Sequence, residues 1–117
     1  MNKRVVGNSK ETEAIHYLKK LGFTILERNF FTRAGEIDII AKDGNYLAFI
    51  EVKYRWNHEC GFPSESVTKH KQRKIVQCAR FYLLSHGYGE DTPCRFDVVV
   101  LVGENIEIIK NAYDALI

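Results

Sequence analysis

Hydrophobic residues follow two periodicities along the chain, and each periodicity predicts one kind of element. Apolar residues recur at helical spacing from Ala14 to Leu21, with the Asn8–Ser9 pair as N-cap candidates and Gly22 as the residue that ends the helix. A longer helix is predicted from residue 64 or 65 to residue 86. Strands are predicted over residues 23–31, 36–42, 46–54, 95–102 and 106–110. The resulting α-β-β-β-α-β-β order predicts an α/β fold in which helices flank a mixed sheet.

The turn between the second and third strands decides which side chains meet. Asp43–Asn45 is a strong hairpin signal. A two-residue loop of Asp43–Gly44 would make Asp38 and Glu51 diagonal neighbours, and a loop of Gly44–Asn45 would make them direct neighbours. In both cases their Cβ atoms would lie roughly 5 to 7 Å apart on one face. A three-residue loop would put them on opposite faces.

Acidic residues interrupt strands that are otherwise apolar. Strand alternation predicts Ile37 and Ile39 on one face of the second strand and Asp38 with Ile40 on the other. The third strand is apolar on both faces as far as Glu51, which is typical of a central strand. Two carboxylates this close on a half-buried face repel each other, unless one is protonated or a cation lies between them. Oxygen ligands at this separation favour Mg²⁺ or Mn²⁺.

Two further residues fit such a centre. Lys53 lies one pleat beyond Glu51, where its ammonium could polarise a water or stabilise charge on a phosphate. Glu11 lies on the apolar stripe of the first helix and therefore points towards the sheet. A simpler explanation also exists, because a Glu-x-Lys triplet is expected about once by chance and an acid near a helix start favours the helix dipole. The coincidence of acids on two neighbouring strands and one helix favours the metal site.

Length and composition narrow the class of protein. The 117 residues, 45% hydrophobic and 27% charged, predict one globular domain spanning residues 1–117. No apolar run is long enough for a membrane span and no signal peptide is predicted, so we expect no membrane partner. Three widely separated cysteines are typical of reduced thiols in a cytoplasmic protein. His58 and Cys60 lack two further ligands nearby, so no zinc site is predicted.

The net charge of +2 is too small to predict a nucleic-acid partner, but the positions of the charges favour one. Basic and polar residues gather before the second strand, after the third, and on the first turns of the second helix. Trp56 and Phe62 lie in the loop between. The candidates for nucleic-acid contact are Arg33, Arg55, Lys69, Lys71, Gln72, Arg73 and Lys74. Such a surface suits a phosphodiester backbone and unstacked bases, although a solvated helix face explains any single lysine equally well.

Four segments carry a resemblance to a known family, and they preserve its order over nearly the whole chain. They are Gly-Glu-Ile-Asp at 35–38, Phe-Ile-Glu-Val-Lys-Tyr-Arg at 49–55, the helix around Lys71, and Arg-Phe-Asp-Val-Val at 95–99. Together they resemble the YraN-like family of small, poorly characterised bacterial proteins. That family is similar to the PD-(D/E)XK restriction-endonuclease-like superfamily, with a pattern close to that of archaeal Holliday junction resolvases.

The resemblance implies a restriction-endonuclease-like core and a set of roles. Asp38 and Glu51 would be metal ligands, the carbonyl of Val52 a third, and Lys53 the catalytic lysine. Glu11 matches the acid of the first helix, although Lys10 stands where the family usually has glycine. Gln72 would correspond to a polar residue near the metal. Asp97 belongs to the matched pattern without an assigned mechanism.

These observations predict a Mg²⁺- or Mn²⁺-dependent endonuclease acting on DNA, with branched or structured DNA as the expected substrate. The catalytic residues would be Asp38, Glu51, Lys53 and Glu11. Branched substrates would favour a homodimer. Two alternatives stay open: a nucleic-acid-binding module without turnover, and a protein-interaction domain on the same fold.

Overall fold

The computed structural model of the protein describes residues 3–55 and 67–115, with side chains described from residue 9. The elements, in chain order, are α1 Lys3–Lys20, β1 Thr24–Thr32, β2 Gly35–Asp43, β3 Tyr46–Arg55, α2 Lys69–Ser85, β4 Cys94–Val102 and β5 Asn105–Ile109. The predicted α/β class and the α-β-β-β-α-β-β order are confirmed. Neither described helix is long and apolar enough to cross a lipid bilayer.

The sheet has five strands in the order β1-β2-β3-β4-β5, so β3 is central, as its two apolar faces predicted. β3 and β4 pair in parallel, whereas the other neighbours pair antiparallel. A parallel pair requires a crossover connection, and α2 lies in it. The sheet is therefore mixed, and the two helices pack on opposite faces. α1 buries Ala14 and Leu18 against one face, and α2 buries Ile75 and Ala79 against the other.

Glycines end both helices in the same way. The N–H of Phe23 donates to the carbonyl of Leu18 and that of Gly22 to the carbonyl of Lys19, and the same pattern recurs around Gly87. Gly22 and Gly87 have φ of +96° and +72°. This left-handed termination favours glycine because it has no Cβ to clash.

The predicted starts of both helices were wrong. The Asn8–Ser9 pair lies inside α1, which begins at Lys3; an Asn or Ser inside a helix costs only several tenths of a kcal/mol. α2 begins at Lys69 rather than at residue 64 or 65, because Thr68 is extended and its side chain accepts a hydrogen bond from the Lys71 N–H. Residues 64–65 lie outside the described residues.

The predicted alternation along β2 also fails at one point. Ile37 packs with Ile40 in the core beneath α2, whereas Ile39 packs in the core beneath α1. The pairing of β1 with β2 skips Asn29 and Asp38, and Asn29 has a left-handed φ of 54°. This irregularity rotates the chain between Ile37 and Ile39, and it leaves Asp38 between the two faces.

Candidate metal centre and acid cleft

The register of the β2–β3 hairpin brings Asp38 and Glu51 together. Gly44–Asn45 forms the two-residue turn, and Ile39 pairs with Ile50 in the last pair of the ladder before Asp38 and Glu51. This is the register of the Gly44–Asn45 loop, one of the turns that the sequence left open. The backbone ladder stops there, and Oδ2 of Asp38 accepts a hydrogen bond from the N–H of Val52 at 2.9 Å. The Asp38 carboxylate thus takes the place of a backbone acceptor between the strands.

Glu51 is buried, with 2% of its surface exposed. Its Oε2 lies 3.5 Å from Nζ of Lys71, whereas its Oε1 is buried with no hydrogen-bond partner among the described residues. Burial raises the pKa of Glu51 to about 8, and the charge of Asp38 and a hydrogen bond to it act in the same direction. The charges of the two nearby lysines therefore do not offset the cost of burying the charge of Glu51.

Lys53 and Lys71 lie side by side next to this carboxylate pair. Burial and the neighbouring charge of Lys71 lower the pKa of Lys53. Burial alone would lower the pKa of Lys71 as well, but the charge of Glu51 raises it above its usual value. Lys71 therefore holds its proton more firmly than an ordinary lysine, and Lys53 releases its proton more easily.

A second acidic group lies on the other side of Asp38. One carboxylate oxygen each from Glu11, Glu36 and Asp38 lie within 4.8 Å of one another. When the oxygen and nitrogen of the Asn29 amide are exchanged, its nitrogen donates to Glu36 Oε1 at 3.0 Å and to Glu11 Oε1 at 3.1 Å. Nη2 of Arg28 lies 3.8 Å from Oε2 of Glu11. Burial, followed by the charge of Asp38, raises the pKa of both Glu11 and Glu36.

This donor set fits a divalent cation. All ligands on offer are oxygens. Asp38 shares one acidic group with Glu11 and Glu36, and it lines the same cleft as Glu51, whose buried oxygen has no partner among the described residues. Mg²⁺ and Mn²⁺ prefer such donors. Of the predicted ligands, Asp38 and Glu11 lie in the acidic group with Glu36, whereas Glu51 lies beside Asp38 in the cleft and is not part of that group. The N–H of Val52 binds Asp38, and the role of its carbonyl stays a prediction.

Glu36, Asp38 and Glu51 open into a cleft between β2 and α2 with a volume of about 320 Å³, and Glu11 is not among the residues that line it. The residues lining it are Gly35, Glu36, Asp38, Glu51, His70, Lys71, Lys74 and Ile75. Of the predicted nucleic-acid contacts, Lys71 and Lys74 therefore line the acid cleft itself. A phosphate in this cleft would meet carboxylates on one side and ammonium groups on the other.

The remaining predicted contacts lie around the cleft. Lys69 and Arg73 are exposed on α2, Arg33 is exposed at the β1–β2 turn, and Arg55 is half-buried at the end of β3. The side chain of Gln72 donates to the carbonyl of Val67 at 2.9 Å, which holds the start of α2. The proximity of Gln72 to a metal stays a prediction. The aromatic loop residues at positions 56 and 62 and the His58–Cys60 pair lie outside the described residues.

Asp97, which the sequence left unexplained, has a structural setting. It is fully buried. Its Oδ1 accepts hydrogen bonds from Arg95 Nε at 2.9 Å and from the N–H of Asn111 at 2.9 Å, and its Oδ2 accepts one from Arg95 Nη2 at 2.8 Å. Arg95 also pairs with Asp43 at 2.9 Å. This network ties β4 to the β2–β3 hairpin and to the segment after β5.

Sequence reasoning missed three features of the site. It gave Glu36 no place among the candidate ligands, although Glu36 belongs to the acidic group. It assigned Lys71 to nucleic-acid contact only, whereas Lys71 pairs with Glu51. It did not consider Tyr113, whose buried hydroxyl has no partner among the described residues and whose pKa is raised by burial and then by the charges of Glu51 and Asp97. Only the position of Glu36 next to the Asp38 motif could have signalled its role.

The fold and cleft define a class of small mixed α/β proteins with a buried acid–lysine cluster between a hairpin and a helix. The chain belongs to the uncharacterised protein family UPF0102, whose sequence profile matches residues 10–101. Membership confirms the resemblance to the YraN-like family.

Relatives share nearly the full length of the chain. A UPF0102 protein of Lachnoclostridium phytofermentans is 56% identical over 115 residues, which cover 98% of this chain and 98% of the relative. A UPF0102 protein of Desulfosudis oleivorans is 49% identical over 111 residues, which cover 93% and 89%. A UPF0102 protein of Caldicellulosiruptor saccharolyticus is 44% identical over 119 residues, which cover 97% and 100%.

Proposed function

We propose that this protein is a metal-dependent endonuclease that hydrolyses phosphodiester bonds in DNA, with branched or structured DNA as its substrate. The observation that carries the proposal is Glu51, a buried carboxylate that lines one cleft with Asp38 and Lys71 and has one oxygen without a partner among the described residues. The resemblance to the PD-(D/E)XK pattern supports the same reading of Asp38, Glu51 and Lys53.

Asp38, Glu51 and Glu11 would hold the cation, Glu36 would join them from the second acidic group, and the Val52 carbonyl is the further proposed ligand. Mg²⁺ or Mn²⁺ held there would supply Lewis-acid stabilisation of the charge that develops on a phosphate. The N–H of Val52 keeps Asp38 oriented. Hydrogen bonds that orient a metal ligand in this way commonly have a large effect on the affinity of a metal site.

The two lysines would act on the substrate in different ways. Lys53 is half-buried and its pKa is lowered, so its amine can take part in proton transfer with the attacking water. Lys71 keeps its proton and is partly exposed at the mouth of the cleft, where it can bind a non-bridging phosphate oxygen. Burial of the acids strengthens both electrostatic interactions, because little water screens them.

A cleavage assay tests the proposal. Linear duplex, single-stranded, flap and four-way-junction DNA would be incubated with Mg²⁺, Mn²⁺ or EDTA, with wild type and the variants Glu51→Ala and Lys53→Ala. We expect metal-dependent cleavage by wild type and its loss in both variants, with circular dichroism showing that the fold is intact. Lys42→Ala, an exposed lysine on β2, is the matched control and keeps activity. Equal cleavage by Glu51→Ala and wild type, or cleavage in EDTA, would contradict the mechanism.

One observation favours a second candidate, a nucleic-acid-binding module without turnover. Lys71 already places an ammonium group against Glu51, and this charge could substitute for a metal. Calorimetry with Mn²⁺ separates the two candidates, because a site satisfied by Lys71 takes up no ion. Sedimentation with and without a four-way junction tests the proposed homodimer.

A further inference from the structure

An aromatic groove lies next to the acid cleft and plays no part in the proposed chemistry. It has a volume of about 400 Å³ and lies between the β1–β2 turn and α2. The residues lining it are Phe31, Thr32, Arg33, Ala34, Gln77 and Phe81. Phe31 and Phe81 are 69% and 55% exposed, so neither residue is buried in the hydrophobic core of the described chain. Two exposed rings in one concave place indicate a binding surface.

The Phe81 ring is held in place from below. Its centroid lies 6.3 Å from that of Phe30, which itself meets Tyr82 edge-on at 5.3 Å. Tyr82 is buried in the core. Because the ring rests on packed aromatic residues, it loses little freedom when a flat partner stacks on it.

The groove adjoins the acid cleft at two places along the chain. Ala34 lines the groove and the next residue, Gly35, lines the cleft. On α2, Lys74 lines the cleft, while Gln77 and Phe81 line the groove. Spacings of three and seven residues place these side chains on one helical face, and the rise from Lys74 to Phe81 is about 10 Å. A strand with its backbone in the cleft would reach the groove within a few nucleotides.

Charge identifies the kind of occupant. α2 contains Lys and Arg residues, most of them in its first two turns, and no Asp or Glu. The one charged residue among those lining the groove in the described chain is Arg33. Rings, cations and the amide of Gln77 suit nucleobases, since every base has a face that stacks and polar edges. A second copy of this chain fits less well, because a two-fold contact here would set the basic α2 against itself.

We propose that the groove of Phe31 and Phe81 binds unpaired bases of the strand whose backbone occupies the acid cleft. The inference rests on the proposed nuclease function and gives it a substrate class. Bases in a duplex are stacked on one another and offer no free face, so the groove selects single-stranded segments adjoining the cleaved phosphate, as in flaps and junctions.

Binding without cleavage tests the groove. Fluorescence anisotropy in EDTA would compare a labelled oligothymidylate with an abasic oligonucleotide of the same length. We expect Phe31→Ala and Phe81→Ala each to weaken oligothymidylate binding about 10-fold, to leave abasic binding unchanged, and Phe81→Tyr to retain affinity. Leu84→Ala is the matched control, because Leu84 is apolar and 80% exposed on the same helix, and it should bind like wild type.

Three results would overturn the inference. The first is equal affinity of wild type for the oligothymidylate and the abasic strand. The second is an equal loss in Leu84→Ala and Phe81→Ala. The third is a change in sedimenting mass in Phe81→Ala with unchanged DNA affinity, which would make the groove a self-association surface. A wild type that binds oligothymidylate through both rings but cleaves no DNA would remove the nuclease proposal and support the groove.

Discussion

Glu51 should make the protein less stable as the pH rises from acid to neutral, and Glu51→Gln should remove this dependence. Burial raises the pKa of Glu51 to about 8 in the folded protein, against an ordinary value of 4.5. Between these values the unfolded chain has lost a proton that the folded chain retains. The contribution of Glu51 to the free energy of unfolding is therefore fully present below pH 4.5 and is lost as the pH rises through 8.

The size of the effect follows from the two pKa values. Each pH unit in the interval costs the folded state about 1.4 kcal/mol, so between pH 5 and pH 8 the free energy of unfolding should fall by about 3 kcal/mol. The glutamine variant keeps the shape of the side chain and cannot ionise. It should equal or slightly trail wild type at pH 5 and exceed it by about 3 kcal/mol at pH 8.

Urea unfolding followed by circular dichroism at several pH values measures this difference directly. Glu11 and Glu36 also have raised pKa values, but they are present in both proteins and cancel in the comparison. Saturating Mg²⁺ at pH 8 should restore stability to wild type and do less for the variant. Parallel stability curves for the two proteins from pH 5 to pH 8 would refute the reasoning.

Two further changes test the surroundings of the site. Glu11→Gln should weaken Mn²⁺ binding, measured by calorimetry, about 10-fold or more. Glu13→Gln should not, because the side chain of Glu13 is 46% exposed, compared with 14% for Glu11. Equal Mn²⁺ affinities of the two variants would exclude Glu11 as a ligand. Asp97→Asn should lower the free energy of unfolding by about 3 kcal/mol or more, since Arg95 loses a buried charged partner. A loss below about 1 kcal/mol in urea unfolding would show that the hydrogen bonds between Arg95 and Asp97 are not needed for stability.

Much of the fold could be predicted because its signals are local. Strand alternation, the Asp43–Asn45 turn and the glycines after each helix lie within a few residues of the features they determine. Both two-residue turns that the sequence offered put Asp38 and Glu51 on one face, whereas the three-residue turn did not. The choice between them, and the single-residue shifts at strand ends, depend on how the hairpin packs in the sheet.

The rest of the site depends on contacts between distant segments. Asn29 disrupts the pairing beside Asp38 through its left-handed backbone, which no periodicity reveals. Lys71 meets Glu51 because the α2 crossover returns the chain over β3. The helix starts were misjudged because α1 extends beyond its apolar stripe and Thr68 sets the beginning of α2.

The parallel pairing of Glu51 with Val98 has a consequence for how the protein is made. During synthesis, α1 and the first hairpins leave the ribosome well before β4, so the strand that carries Glu51 emerges with one edge uncovered. Contacts of high sequence separation form late. The strand that carries Glu51 therefore gains its second neighbour only after β4 has been translated, later than every residue that lines the acid cleft.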